Sequence, residues 1–189
     1  MPDGVENGVL KGMYRFREGQ GGGPRVQLLG SGTILREVIA AAEMLEKDHG
    51  VASDVWSVTS FNELARDGQD VERWNMLHPG DEPKMSFVER QLMSSTGPII
   101  SATDYQRLYS EQIRAFLPAG RDYRTLGTDG WGRSDGREKL RQFFEVHRNN
   151  VCVAALAALA DEGAVDRDHV SRAIRKYGLE PETTAPRHR

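Results

Sequence analysis

The sequence predicts an α/β domain in which helices are layered on a mostly parallel sheet. Three observations carry this expectation. Short apolar runs of β type recur at residues 26–32, 51–58, 98–102 and 123–127, and a stretch with helical spacing follows each of them. Glycine or proline punctuates most junctions between the two kinds of segment. At 189 residues the chain is long enough for one domain with a genuine core and a helical appendage, and too short for a second catalytic domain. Strands alternating with helices at this rhythm lie side by side and parallel, because each crossover helix returns the chain to the same end of the sheet.

The elements follow in order. Residues 1–8 are polar and turn-rich, and residues 10–18 (LKGMYRFRE) alternate as a short edge strand does. Gly19 to Gly23 with Pro24 cannot pack as a regular element and reads as a mobile loop. The run VQLLGSG closes a buried strand on a glycine turn. Thr33 then stands where a cap belongs, and Ile34, Leu35, Val38, Ile39, Ala42 and Leu45 share one helical face. A second strand, VASDVWSV, precedes a helix over 62–76, which Pro79, Gly80 and Pro83 terminate. A short helix is expected at 85–93 and a short strand at 98–102. Asp104 is placed to cap a helix running to Phe116, which proline and glycine at 118–120 end. Residues 123–127 form the last strand, Ser134 or Asp135 caps a helix carrying Leu140, Phe143 and Phe144, and two helices follow near 150–162 and 166–177. Residues 179–189 have the composition of a flexible tail.

Composition narrows the function classes. The 25 basic and 28 acidic residues are spread along the chain and leave a formal net charge of -3, so nothing marks a nucleic-acid or membrane-surface binder. No apolar run approaches the roughly twenty residues of a membrane helix, and the N-terminal residues lack the basic and apolar blocks of a signal peptide. The lone Cys152 lies in VCVAALAALA, reads as a buried small hydrophobe rather than a nucleophile, and fits a reducing cytoplasm.

Several motifs invite a chemical reading. Gly30-Ser31-Gly32-Thr33 sits between strand and helix, where backbone amides can hold a phosphate, but it lacks the third glycine of the dinucleotide fingerprint; a structural turn is the expectation. The five histidines, at 49, 78, 147, 169 and 188, show no metal-ligand spacing. The most distinctive stretch is 57–79, SVTSFNELARDGQDVERWNMLHP. It mixes Phe61 and Trp74 with Glu63, Arg66, Asp67, Asp70, Glu72 and Arg73, and has His78 before its closing proline. Apolar bulk among paired charges suits a surface that packs on another protein surface. A second dense run, LGTDGWGRSDGREKLRQFF at 126–144, holds Asp129, Trp131, Arg133 and Asp135 in a glycine-rich loop at the end of a strand. That is the edge at which parallel sheets present functional groups. The competing reading of that loop is a packed connection in which its charges satisfy one another and Ser134 caps the next helix. No base or nucleophile converges on either run.

Together these two runs resemble the C-terminal domain of the homodimeric bacterial pyruvate dehydrogenase family, the thiamine-diphosphate-dependent decarboxylating component of the pyruvate dehydrogenase complex. The resemblance spans almost the whole chain. It implies a three-layer α/β/α domain like the C-terminal domain of transketolases, with a mixed, mostly parallel sheet of about five strands whose first strand opposes the rest. It divides the chain into a linker and edge strand at 1–24, the domain proper with its C-terminal helices at 25–178, and the tail at 179–189. It also implies that MPDG continues an interdomain linker and that Met1 is an internal methionine reused as a start.

By the same resemblance, the parent enzyme decarboxylates pyruvate on thiamine diphosphate and magnesium and transfers the acetyl unit to a lipoyl group on the acyltransferase component, working in the cytoplasm as a homodimer. No catalytic, cofactor or metal residue is carried over to this chain. Thr128-Asp129-Gly130 followed by Asn149-Asn150 imitates the family's magnesium-diphosphate motif, but threonine replaces its first glycine and the interval is short. The residues expected to contact neighbouring domains or partners are Phe61, Arg66, Asp67, Arg73, Trp74, His78, Asp129, Trp131, Arg133 and Asp135. The alternative from a different class is a stand-alone module of the same fold that docks a protein partner or a small anion on these surfaces. An uncovered apolar patch would favour the excised domain.

Overall fold

The computed structural model describes residues 2–189, so the expectation about Met1 lies outside the described residues. The strands are β1 (Met13–Arg17), β2 (Arg25–Ser31), β3 (Ala52–Val58), β4 (Ile99–Ala102) and β5 (Tyr123–Leu126). The helices are α1 (Glu6–Lys11), α2 (Leu35–His49), α3 (Phe61–Leu77), α4 (Phe87–Leu92), α5 (Arg107–Glu111), α6 (Arg137–Phe143), α7 (Arg148–Asp161) and α8 (Arg167–Lys176). The strands form one sheet in the order β1-β3-β2-β4-β5. All pairs are parallel except β1 with β3, so the sheet is mixed and mostly parallel as expected. β1 is the antiparallel edge, and a register shift between Arg15 and Arg17 interrupts its ladder with β3, an irregularity common at sheet edges.

β2 and β3 are buried along almost their whole length, polar Gln27, Ser53 and Asp54 included, because helices cover both faces of the sheet. On one face Val26, Leu28, Val55 and Ile100 pack with the apolar stripes of α2 and α7, and α8 adds Ala173 from outside. On the other, Leu29, Trp56, Val58, Ile99 and Tyr123 pack with Phe61 and Leu64 of α3 and with Phe87, Val88 and Leu92 of α4. Helix α7 forms because its alanine-rich interior has high intrinsic propensity; Cys152 is fully buried there. Two glycines are imposed by close approach. A Cβ on Gly68 of α3 would lie 2.3 Å from the Phe116 ring, and one on Gly97 (φ +77°) would lie 1.7 Å from the Arg25 carbonyl.

Several local expectations are corrected. Residues 6–11 form the helix α1, which buries no side chain and so leaves no hydrophobic pattern to read. Thr33 does not cap α2: a 3-10 turn over Gly32–Ile34 precedes that helix, and the Thr33 hydroxyl donates instead to Asp104 Oδ2 at 3.1 Å. Asp104 is therefore no cap either, and the helix expected to run from it to Phe116 is split into α5 and a 3-10 turn at Arg114–Phe116. Neither Ser134 nor Asp135 caps α6, whose N-cap is Gly136; Asp135 Oδ1 accepts from the Gly136 N–H at 2.6 Å. Caps do form at Ser60 and Ser86, whose hydroxyls accept from the backbone of Glu63 and Glu89.

Two buried carboxylates tie the layers together. Asp54 accepts from the Gly19 N–H at 2.9 Å, Gln27 Nε2 at 2.7 Å and Arg25 Nη1 at 2.6 Å, which pins the base of the glycine loop to the sheet. Glu37 of α2 accepts from Arg141 Nη1 at 2.7 Å and Arg148 Nε at 2.8 Å. It also accepts from the Arg148 backbone N–H at 3.1 Å, so it caps α7 from across the layer. Burial by itself would raise the Glu37 pKa, but the hydrogen bonds from Arg148 outweigh it and hold the carboxyl below its ordinary value.

Candidate functional site

The carboxyl ends of β2 to β5 lie along one edge of the sheet, and the segments leaving them build the site. A hollow of about 260 Å³ opens there, lined by Ser31, Thr59, Ser60, Phe61, Asn62, Tyr105 and Tyr109. Its rim is apolar. Tyr105 is 58% exposed, Leu108 69% and Tyr109 42%, and the two tyrosine rings stand 5.5 Å apart. Helix α5, which carries Leu108 and Tyr109, is firmly anchored. Glu111 receives a bidentate pair of hydrogen bonds from Arg114 at 2.6 and 2.9 Å and a third from the Thr125 hydroxyl at 2.6 Å. The Arg114 hydrogen bonds, with Thr125 assisting, hold the Glu111 carboxyl below its ordinary pKa against the opposing effect of burial. Tyr123 adds a hydrogen bond to the Ser110 carbonyl at 2.8 Å, and burial pushes its phenol well up.

The loop after β5 is joined to the loop after β4. Thr128 N–H donates to the Tyr105 carbonyl at 2.9 Å, and a Cβ on Gly127 would lie 2.8 Å from that same oxygen. Asp129 turns inward: its Oδ1 accepts from the Arg107 N–H at 3.0 Å and its Oδ2 faces Arg107 Nε at 3.6 Å. Trp131 projects outward and is 85% exposed. Arg133 donates to the Arg189 carbonyl at 2.6 Å and lies over the Phe143 ring, while Asp135 serves Gly136 and, at 4.0 Å, Lys139. The mutual pairing of Asp129, Arg133 and Asp135 considered from the sequence therefore does not occur. Residues 186–188 fold back beside this loop, where a Cβ on Gly130 would lie 2.9 Å from Arg187 Cα.

The 57–79 stretch divides between core and surface. Phe61 is 4% exposed and packs inside the chain, so it is corrected from a contact residue to a core residue. Its partners on the helix, Leu64, Ala65 and Gly68, are buried with it at spacings of three, four and seven. Asp67 accepts from the Phe87 N–H and links α3 to α4. Among the described residues Arg66 pairs only with Glu63, at 3.1 Å on the surface, and Arg73 is exposed. Trp74 stacks on His78 with ring centroids 4.3 Å apart and planes 9° apart, and Lys84 Nζ lies 3.7 Å from its ring, with the Lys84 backbone N–H and carbonyl both bound by the Asn75 amide. Beside this stack Met76 is 70% and Leu77 52% exposed. The Trp74 stack and the Trp131 loop make their contacts with different elements of the chain.

Two cofactor readings fail on the geometry. In the Gly30–Thr33 turn an Asp104 carboxylate oxygen lies 3.2 Å from where a Gly32 Cβ would stand and the other accepts from the Thr33 hydroxyl, so a carboxylate set against the turn opposes a phosphate there. Asp129, which would have to ligate magnesium in the imitation of a diphosphate motif, is committed to Arg107, and Asn149 donates toward the Tyr177 carbonyl at 3.4 Å. The residues present do not fit thiamine diphosphate. What the edge offers is a rigid, partly apolar contact surface. The rim of Tyr105, Leu108 and Tyr109 leaves no signal in the sequence, because a spacing of three and four residues suits a buried helical stripe, whereas Tyr105 here precedes α5 and all three are exposed.

Comparison with known proteins agrees with this architecture. The family described as transketolase-like TK C-terminal domain matches residues 12–147. The pyruvate dehydrogenase E1 component of Cupriavidus necator is 60% identical over 188 residues, covering 98% of this chain and 21% of its own. Those of Pseudomonas aeruginosa and Escherichia coli K12 are 57% and 53% identical over 187 residues, again with 21% of their length covered. The chain thus spans about a fifth of the length of the curated relatives it matches. Among solved structures, the transketolase of Leishmania mexicana superposes with a TM-score of 0.53 at 17% identity, covering 82% of this chain and 19% of that one. The Campylobacter jejuni transketolase superposes with a TM-score of 0.52 at 20% identity, covering 79% and 19%.

Proposed function

The chain belongs to the transketolase-like C-terminal domain family, and from that premise we propose that it is the terminal domain of a pyruvate dehydrogenase E1 component, serving to pack against the catalytic domains of a longer chain. The observation that carries this reading is the 60% identity to such a component, sustained over 98% of the chain. The parent enzyme decarboxylates pyruvate and passes the acetyl unit to a lipoyl group on the acyltransferase component of the complex. Thiamine diphosphate, which supplies the carbanion chemistry when bound with magnesium, is held by the other domains. The enzyme works as a homodimer in the cytoplasm, where a lone buried thiol such as Cys152 stays reduced.

In this reading the domain contributes surface rather than chemistry. The exposed Tyr105, Leu108 and Tyr109 rim, the Trp131 loop and the Trp74 stack present large apolar groups of the kind that anchor interfaces. Arg66, Arg73 and Arg133 supply charge around them and Asp135 the opposite sign, which sets register more than affinity.

The test is made in the full-length chain. Trp131→Ala and Trp74→Ala should lower the thermal midpoint and weaken assembly while leaving the decarboxylation rate per assembled enzyme unchanged. The 189-residue chain alone should not turn over pyruvate. A slower chemical step with assembly and thermal stability intact, or turnover by this chain alone, would overturn the proposal.

A further inference from the structure

On the α2 face of the sheet a cleft of about 650 Å³ is lined by Arg36, Glu37, Arg137, Glu138, Arg141, His147 and Arg148. Its size falls within the roughly 300–1,000 Å³ of small-molecule sites. Two of its guanidiniums are only partly used. Arg141 gives one N–H to Glu37, and Arg148 gives Nε and Nη2, out of the five donors each carries. Arg36 and Arg137 make no ion pair or side-chain hydrogen bond among the described residues, and both are exposed at the mouth.

Charge selects the ligand. Four arginines face two carboxylates, Glu37 and Glu138, so the cleft carries an excess of two positive charges in a chain whose net charge is -3. Glu37 is engaged on the floor and fixes Arg141 and Arg148 in place. A carboxylate ligand would leave one charge unmatched, whereas a phosphomonoester or diphosphate, with about two negative charges and three acceptor oxygens on its terminal group, matches both the charge and the forked donors. With 28 acidic against 25 basic residues in the whole chain, its overall charge does not favour a nucleic acid. The amide at the start of α7 takes no part, because Glu37 already occupies it.

We propose that this cleft, formed where α2, α6 and α7 meet, binds a small phosphate-bearing molecule through Arg36, Arg137, Arg141 and Arg148. The inference does not rest on the interdomain role, since binding is read without pyruvate turnover.

Calorimetric titration of the 189-residue chain with inorganic phosphate and with pyrophosphate, at constant ionic strength in potassium chloride, tests it. One saturable site is expected, with pyrophosphate preferred if the natural ligand is a diphosphate and phosphate bound equally well if it is a monoester. Arg36→Ala and Arg137→Ala should each weaken binding about tenfold, the usual worth of a charge-assisted contact. Both side chains are exposed and unpaired, so the variants keep the fold, as circular dichroism will register. Glu138→Gln should tighten binding severalfold. The proposal is overturned if the wild-type chain shows no saturable binding, if neither arginine variant changes it, or if acetate competes as well as pyrophosphate.

Discussion

Replacing Glu37 with alanine should destabilise the domain by about 3 kcal/mol, and the figure follows from what the carboxylate touches. Its side chain is 2% exposed and that of Arg141 is 14% exposed, so their 2.7 Å contact is a buried ion pair. Removing one member of such a pair costs about 3–5 kcal/mol, because the remaining charge stays desolvated without a partner. The lower end applies here, since the Arg148 side chain is 43% exposed and can recover water. The loss includes the cap that Glu37 provides for the Arg148 N–H at the start of α7. For a chain of this size the thermal midpoint should fall by about 6–12 °C. Glu37→Gln keeps the length and the acceptor oxygen and should cost only about 1–2 kcal/mol. Urea denaturation followed by circular dichroism reads both variants. An alanine loss below about 1 kcal/mol, the scale of a surface pair, would refute the buried-pair reasoning. So would a glutamine variant as unstable as the alanine one.

Stability should rise with pH through the acid range, as denaturation midpoints across pH will register. Glu37 and Asp54 titrate below their ordinary 4.5 and 3.8 when folded, so their contributions are complete above those values and are lost as pH falls through the folded ones. Burial likewise lowers His49 and His147 from 6.5, which places the first loss of stability just below that pH; a midpoint that stayed flat on acidification would contradict the assignment. Gly68→Ala should destabilise by about 1–3 kcal/mol despite alanine's better helix propensity, because the new methyl meets the Phe116 ring. In a Phe116→Ala background the same change should become neutral or stabilising, which a double-mutant cycle in urea decides. Cys152 is buried and its thiol is pushed up to about 11, so it should react with a thiol reagent only as the chain unfolds; prompt labelling of the native protein would contradict its burial.

The sequence by itself determined what is local. The runs at 26–32, 51–58, 98–102 and 123–127 became β2 to β5 because a β-rich apolar segment between breakers has few other ways to satisfy its backbone. The alternation at 13–17 became the edge strand β1 for the same reason. The spacing of Phe61, Leu64, Ala65 and Gly68 even contained the correction to Phe61, since that stripe faces a core. Starts of helices were less legible where caps compete: Thr33 and Asp104 found each other across 71 residues instead of serving the nearest backbone.

What only the tertiary structure decided is which distant residues meet. Glu37 reaches Arg141 and Arg148 over separations of 104 and 111 residues, and it does so because the sheet order brings the starts of α2 and α7 to the same edge. Asp129 pairs with Arg107 rather than with its neighbour Arg133 because the loops after β4 and β5 are zipped together. Periodicity encodes the face a side chain presents, but charge has no periodicity of its own. The arginine cleft and the tyrosine rim exist only once packing has fixed which faces adjoin.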